Sequence, residues 1–446
     1  MSIVDPPIDS PPPVPGDTVA GTGGKYLTGQ DIRTLVLAAL GGALEFYDFV
    51  IFVFFTAVLS RLFFPPNMAE WLVQVQTFGI FAAGYLARPL GGIIMAHFGD
   101  VAGRKRMFTL SVFLMALPTF AIGLIPTYAT VGFLAPILLL VLRILQGAAI
   151  GGEVPGAWVF VAEHVPRHRV GFAVASLTSG LTAGILLGSL VAAGMNAFYS
   201  HETIMAYAWR LPFMIGGVFG LIAVHLRRWL EETPIFEAMR RERRLAEALP
   251  LGLVLRRHSA AVLISMLSTW VLTAGVVVVI LMAPTLLQTR YHLAPLTVLI
   301  ASCFANVGLC LGCLVAGAAV DVIGVGITLA IGCIAMGGAT WLLFDVAASA
   351  PAWLLPAYSF AGFCVGVVGA IPSVLVHRFP AAVRFSGISF SYNIAYAIFG
   401  GLTPVVVTLF MKQGVGDMPS LYVGALSIVG TLIGLGLMRR TSARAG

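Results

Sequence analysis

Apolar residues in this chain come in long runs, and polar residues gather in short clusters between them. A helix rises ~1.5 Å per residue and must cross ~30 Å of hydrocarbon, so each span needs roughly 20 apolar residues. Runs of that kind fall near 33–62, 71–96, 107–126, 131–163, 170–194, 209–229, 256–288, 294–319, 327–346, 351–377, 384–411 and 419–438. The pattern predicts an all-α membrane protein of twelve transmembrane helices with little chain left over for a soluble domain. Composition agrees: the 446 residues are 59% hydrophobic and only 10% charged, and mean hydropathy is +0.96. A water-soluble protein of that size needs far more charge on its surface.

The formal charge of +7 does not point to nucleic acid, because the basic residues are dispersed among apolar runs. They follow the positive-inside rule instead. With the N-terminus in the cytoplasm, about twenty Lys and Arg fall on that side, and Arg61, Arg210, Arg290 and Lys412 fall on the other. Both termini are therefore expected inside, with the protein in the bacterial inner membrane. Residues 1–29 hold six prolines and neither an apolar run nor a basic n-region, and they read as a disordered cytoplasmic tail. Cys303, Cys310, Cys313, Cys333 and Cys364 all lie inside apolar runs. Cys310 and Cys313 make a C-x-x-C without a His or a second pair, so packing is the expected role, and no metal or other cofactor is expected.

The longest internal break, residues 230–255, reads as a cytoplasmic linker between a first bundle (30–229) and a second (256–438), followed by a short tail (439–446). The halves echo each other. Arg33 opens one and Arg256 the other, Asp100 in G-D-V-A-G matches Asp321 in V-D-V-I-G, and Pro166 with Arg169 recurs as Pro380 with Arg384. Three echoes at similar offsets support a duplicated six-helix unit.

A charge near mid-bilayer costs several kcal/mol, so each one needs a partner or a purpose. Four stand out: Glu45 and Asp48, three apart on one face of span 1, with Arg88 in span 2 and Arg143 in span 4. Their charges sum to zero. They either pin helices together or work: a carboxylate that takes and releases a proton, and an arginine that holds an anionic group. Span 4 carries Arg143, Gln146, Gly147 and Gly151 at helical spacing, a polar face toward another helix. Gly180, Gly184 and Gly188 on span 5 read as a stripe for close helix approach. The second half holds neutral polarity instead, in Ser265, Ser268, Thr269 and Thr273, Asn306, Ser389, Tyr392, Asn393 and Tyr396. Such groups suit a polar solute, although each alone is more often a backbone-bonded helix residue. Asp48 and Glu45 are the proton-coupling candidates. Arg88, Arg143, Gln146, Tyr47, Thr269, Tyr392 and Asn393 are the substrate-binding candidates.

The stretch G-D-V-A-G-R-K-R (99–106) resembles the signature between helices 2 and 3 of major facilitator transporters, and R-I-L-Q-G-A-A-I-G-G resembles their helix 4 motif. More specific are A-L-E-F-Y-D-F (43–49), A-R-P-L-G-G (87–92), G-G-E-V-P-G (151–156), W-R-L-P-F (209–213), L-E-E-T-P-I-F (230–236) and S-Y-N-I-A-Y-A-I-F-G-G-L-T-P (391–404). Together, over roughly residues 30–438, they resemble the metabolite:proton symporter family, with permeases for α-ketoglutarate, citrate, shikimate and proline or betaine. The resemblance implies two pseudo-symmetric six-helix bundles, a cavity lined by spans 1, 4, 7 and 10, and a small solute moved with protons by a monomer. It also implies a cytoplasmic latch of Asp100, Arg104 and Arg106 with Glu153, Glu163 and Arg384. Val101 and Val170 depart from the family pattern, and Val320–Gly326 contains no arginine, so a weaker second-half latch is expected.

The two intramembrane arginines favour an organic acid, a mono- to tricarboxylate, as solute. A proline or betaine solute ranks second, because osmolyte members of that kind carry a long C-terminal coiled coil and only about eight residues follow span 12 here. A drug:proton antiporter ranks third, since its helix 5 signature places proline after glycine and G-L-T-A-G-I-L-L-G lacks it. An enzyme is not expected: no metal-ligand cluster or paired nucleophile and base appears at motif spacing.

Overall fold

The computed structural model of the chain describes residues 29–102, 104–151, 153–227, 251–380 and 383–445. Its long helices are α1 (Gly29–Phe54), α2 (Glu70–Ala102), α3 (Arg104–Ile122), α4 (Leu134–Ile150, continued by Glu153–His164), α5 (Val170–Phe198) and α6 (Arg210–Arg227). The second set is α7 (Ser259–Thr289), α8 (Pro295–Ile323), α9 (Val325–Ser349), α10 (Pro351–Arg378), α11 (Arg384–Lys412) and α12 (Met418–Ala445). Among the described residues nine helices are long and apolar enough to cross a membrane, and the bent pair His201–Ala208 and Arg210–Leu226 makes a tenth. Helices α2 and α3 occupy the two remaining expected spans.

Some boundaries differ from the sequence pattern. The first run breaks at Phe55 and resumes as a short helix, Thr56–Phe63. Helix α2 continues through Gly99 to Ala102, where a loop was expected. The expected C-terminal tail is helical as far as Ala445. The expected N-terminal tail and most of the linker lie outside the described residues.

Burial sorts the helices. The most apolar stretch of α7 is 89% buried and that of α10 83%, whereas that of α12 is only 28% buried. So α7 and α10 run through the centre and α12 faces lipid with side chains such as Leu421, Ile428 and Leu432. Within the first set, α1 packs on α5 and α6, α2 on α4, and α3 on α6. In the second, α9 packs on α12, α8 on α10, and α7 on α11. The sets meet along two seams, α5 against α8 and α2 against α11.

Glycine permits these close approaches because hydrocarbon offers no hydrophobic drive between helices, and van der Waals contact between backbones must supply it. A Cβ at Gly147 of α4 would run into the carbonyl of Gly84 on α2, and one at Gly151 into that of Arg88. The stripe Gly180, Gly184 and Gly188 lies on α1, against Ala39, Ala43 and Phe54, so packing is its role. Two helices also widen locally to i→i+5 turns, α7 over Ala274–Met282 and α11 over Tyr396–Gly400, a distortion frequent at functional sites.

Gly147→Val must push α2 and α4 apart, with an overpacking cost of about 1–3 kcal/mol or more. We expect it to lower the melting temperature of the purified protein by several degrees. Gly424, with open space at its Cβ position, should accept alanine with no loss. Equal melting temperatures for Gly147→Val and the parent would refute the close-approach reading.

Candidate functional site

Arg143 and Arg88 are the largest buried polar side chains, 0% and 1% exposed. Arg143 sits mid-way along α4 and reaches toward α1 and α2. Its Nη1 donates to the Phe49 carbonyl at 3.1 Å and to Gln146 Oε1 at 2.8 Å. Gln146 Nε2 in turn donates to Thr119 Oγ1 on α3 at 2.7 Å, and the Thr119 hydroxyl donates to the Met115 carbonyl. The guanidinium lies over the rings of Phe49 (4.3 Å), Phe52 (4.4 Å) and Phe81 (5.8 Å). Its Nε and Nη2 have no hydrogen-bond partner among protein atoms.

Arg88 precedes Pro89, which has no N–H and so leaves the Tyr85 carbonyl without its helical donor. The guanidinium stands over Tyr396 at 4.5 Å, Tyr85 at 5.5 Å and Tyr392 at 5.6 Å. Tyr85 stacks on Tyr396 across the α2–α11 seam with centroids 5.3 Å apart. Tyr392 meets Trp158 of α4 edge-on at 4.9 Å. Arg88 Nε and Nη2 also have no hydrogen-bond partner. Phe49, Phe81 and Tyr85 contact one another, so one aromatic cluster joins the surroundings of the two arginines.

Of the expected ion-pair network, the Glu45 side chain lies outside the described residues. Asp48, 1% exposed, turns to α6: a Cβ at Gly216 would lie 2.5 Å from its Oδ1, and one at Gly220 3.4 Å from its Oδ2. Thr119 flanks the same point. Arg143 donates to neutral acceptors, and Thr119, which accepts from Gln146, also lies beside Gly216 where Asp48 packs. Tyr47 is engaged structurally, its hydroxyl donating to the Pro212 carbonyl on α6 at 2.8 Å. Thr269 back-bonds to the Ser265 carbonyl at 2.8 Å. Asn393 Nδ2 donates to the Gly151 carbonyl of α4, while its Oδ1 has no partner. Ser265 and Ser268 of α7 and Ser373 of α10 are buried with hydroxyls that have no partner. Ser373 had no motif to mark it. The side chains of Glu45, Asp100, Arg104, Arg106, Glu153 and Glu163 lie outside the described residues. Arg384 Nε donates to the Phe379 carbonyl at 3.4 Å. No group of three potential metal ligands occurs among the described residues, and the five cysteines are free thiols.

The second-half loop has a latch of another kind. Near the end of α8, Asp321 accepts from the backbone N–H of Gly171 at 2.8 Å and of Phe172 at 3.0 Å, the first turn of α5. Without an arginine in the loop, the carboxylate uses unpaired amides and the positive end of a helix in the opposite bundle.

The sequence profile of the Major Facilitator Superfamily matches residues 38–404. The chain is 33% identical to a Staphylococcus aureus protein named as a proline/betaine transporter, across 90% of this chain and 87% of that one. It is 30% identical to the citrate-proton symporter of Klebsiella pneumoniae, with 93% of each chain covered. It is also 30% identical to the glycine betaine/proline/ectoine/pipecolic acid transporter of Dickeya dadantii, across 92% of this chain and 83% of that one. Among solved structures, a sugar-bound proton:xylose symporter superimposes with a TM-score of 0.77 at 17% identity, covering 93% of this chain and 96% of that one. The chain is therefore a membrane transporter of the Major Facilitator Superfamily and not an enzyme. Its relatives place it, more narrowly, among the metabolite:proton symporters.

Asp321→Ala removes two cross-bundle hydrogen bonds at a helix N-terminus, worth about 1–2 kcal/mol together with the dipole. A lower melting temperature should result, with Asp321→Asn in between. If Asp321→Ala melts with the parent, the latch has no energetic weight.

Proposed function

We propose that the protein couples proton entry to uptake of a small zwitterion of the proline or betaine type. The observation that carries this reading is Arg143: a buried guanidinium with Nε and Nη2 unpartnered, walled by the faces of Phe49, Phe52 and Phe81. A solute carboxylate can accept two parallel N–H bonds from the planar fork. The aromatic faces beside it suit a quaternary or secondary ammonium, which ring quadrupoles attract. The names of the Staphylococcus and Dickeya relatives support the same solute class.

A di- or tricarboxylate is the second reading. Arg88, with two further unpartnered donors, and the citrate-symporting relative favour it. Uptake into proteoliposomes separates the two. Under a proton gradient, labelled glycine betaine or proline should accumulate, and excess citrate should not compete. Citrate uptake that betaine leaves untouched would reverse the order. Arg143→Lys keeps the charge and loses the fork, so KM should rise at least tenfold; an unchanged KM would remove Arg143 from carboxylate capture.

Asp48 is the one buried carboxylate among the described residues, and we assign it the proton. Glu45 and the basic loop at Asp100, Arg104 and Arg106, with Glu153, Glu163 and Arg384, keep their proposed roles as second acid and cytoplasmic gate. The distribution of basic loops supports the reading that both termini are cytoplasmic. A proton crossing with a net-neutral zwitterion carries charge, so uptake gains about 2.3 kcal/mol per 100 mV of potential. Asp48→Asn should lose uphill, gradient-driven uptake while retaining exchange of labelled for unlabelled solute. Loss of both activities would mark Asp48 as structural, and retention of both would take it off the proton path.

A further inference from the structure

We propose that Arg88 and three tyrosines form a clasp that shuts the seam between the bundles on the side assigned to the cytoplasm. Arg88 and Tyr85 belong to α2 in the first bundle, and Tyr392 and Tyr396 to α11 in the second. Arg88 stands over both α11 rings, 4.5 Å from Tyr396 and 5.6 Å from Tyr392, and Tyr85 stacks on Tyr396. Every one of these contacts crosses the seam. Trp158 of α4 closes the cluster from behind through Tyr392. Between the two tyrosines on α11, Asn393 donates to the Gly151 carbonyl of α4, with Gly92 of α2 packed against both. Three helices therefore meet at one point, and two of the three belong to the other bundle from α11.

The chemistry makes this a reversible closure. A salt bridge would hold such a seam strongly, but Arg88 has no carboxylate here among the described residues. It is held by ring faces and a hydrogen bond to Tyr392, while its Nε and Nη2 are left without partners. Buried donors without partners oppose the gain from the ring contacts, and parting of the bundles lets water reach the guanidinium. Contact and rehydration thus oppose each other, as in a gate that must open in every cycle. The clasp rests on this geometry alone and not on the identity of the solute.

The test is labelling of Ser389→Cys, half-buried beside Asn393 on α11, by a membrane-impermeant maleimide from the cytoplasmic face. The native cysteines alone supply the blank. Tyr396→Leu removes the ring and should raise the labelling rate roughly tenfold, the shift expected from one desolvated cation–π contact. Tyr396→Phe keeps the ring and should label like the parent. Tyr392→Leu repeats the comparison if Tyr396→Leu does not fold, which gel filtration reports. A purely structural contact would lower the melting temperature of the leucine variants and leave labelling unchanged. Equal labelling of the leucine and phenylalanine variants would therefore overturn the proposal.

Discussion

A guanidinium inside hydrocarbon needs something to hold its charge, and this chain places two of them there without a carboxylate in contact among the described residues. Each buried donor left unpaired costs a few kcal/mol. Water normally removes that cost, and lipid does not. The groups that offset it here are aromatic faces, each worth up to about 2 kcal/mol when desolvated. The aromatic clustering in the middle of the protein follows from this: Phe49, Phe52 and Phe81 face Arg143, and Tyr85, Tyr392 and Tyr396 face Arg88. So does the glycine seam. Gly84 would carry a Cβ only 3.2 Å from the Arg143 carbonyl and 3.7 Å from its Nε, so its bareness lets α2 and α4 close over the side chain.

The two arginines differ in what surrounds them. All of Arg143's contacts lie inside the first bundle, on α1, α2 and α4. Its environment is preserved when the bundles move relative to each other as rigid bodies, which suits a group that holds solute throughout a cycle. Arg88 has half of its environment on the other bundle. Its environment changes whenever the seam opens, which suits a group that responds to conformation. Two chemically identical side chains thus have different surroundings because of where the bundle boundary falls, and the parts proposed for them follow that difference.

That boundary was partly legible in the sequence. Twelve apolar runs, the duplicated loops and the intramembrane charges all follow from local composition, and the helices appear close to their expected bounds. The direction of Asp48 was not legible. Helical spacing put it on one face with Glu45, but the choice between α4 and α6 depends on Gly216 and Gly220, whose openness to a carboxylate has no local signature. The form of the second-half latch was not legible for a similar reason. Counting arginines near Asp321 missed that backbone amides at the start of α5 can replace them. Tyr396 read as one of several neutral polar groups of the second half and Tyr85 carried no signal of its own, until the fold brought both against one arginine.

Separation of Asp48 from Arg143 also constrains how proton and solute are coupled. In a direct ion pair, a solute that captures the arginine would change the carboxylate's proton affinity through a single contact. Here Arg143 donates to Gln146 and Gln146 to Thr119 beside Gly216, and both are already committed to hydrogen bonds at 2.7 Å and 3.0 Å. The shorter physical connection is α1 itself. Arg143 binds the Phe49 carbonyl, the residue next to Asp48. A pull on Arg143 by a solute carboxylate therefore loads α1 one residue from the acid. Asp48 rests against Gly216 and Gly220 of α6, with the side chains of Thr119 and Tyr47 beside it. Neutralising the acid removes the cost of carrying a charge as α1 slides along that bare face, so the protonated form is the one for which such a movement is least opposed.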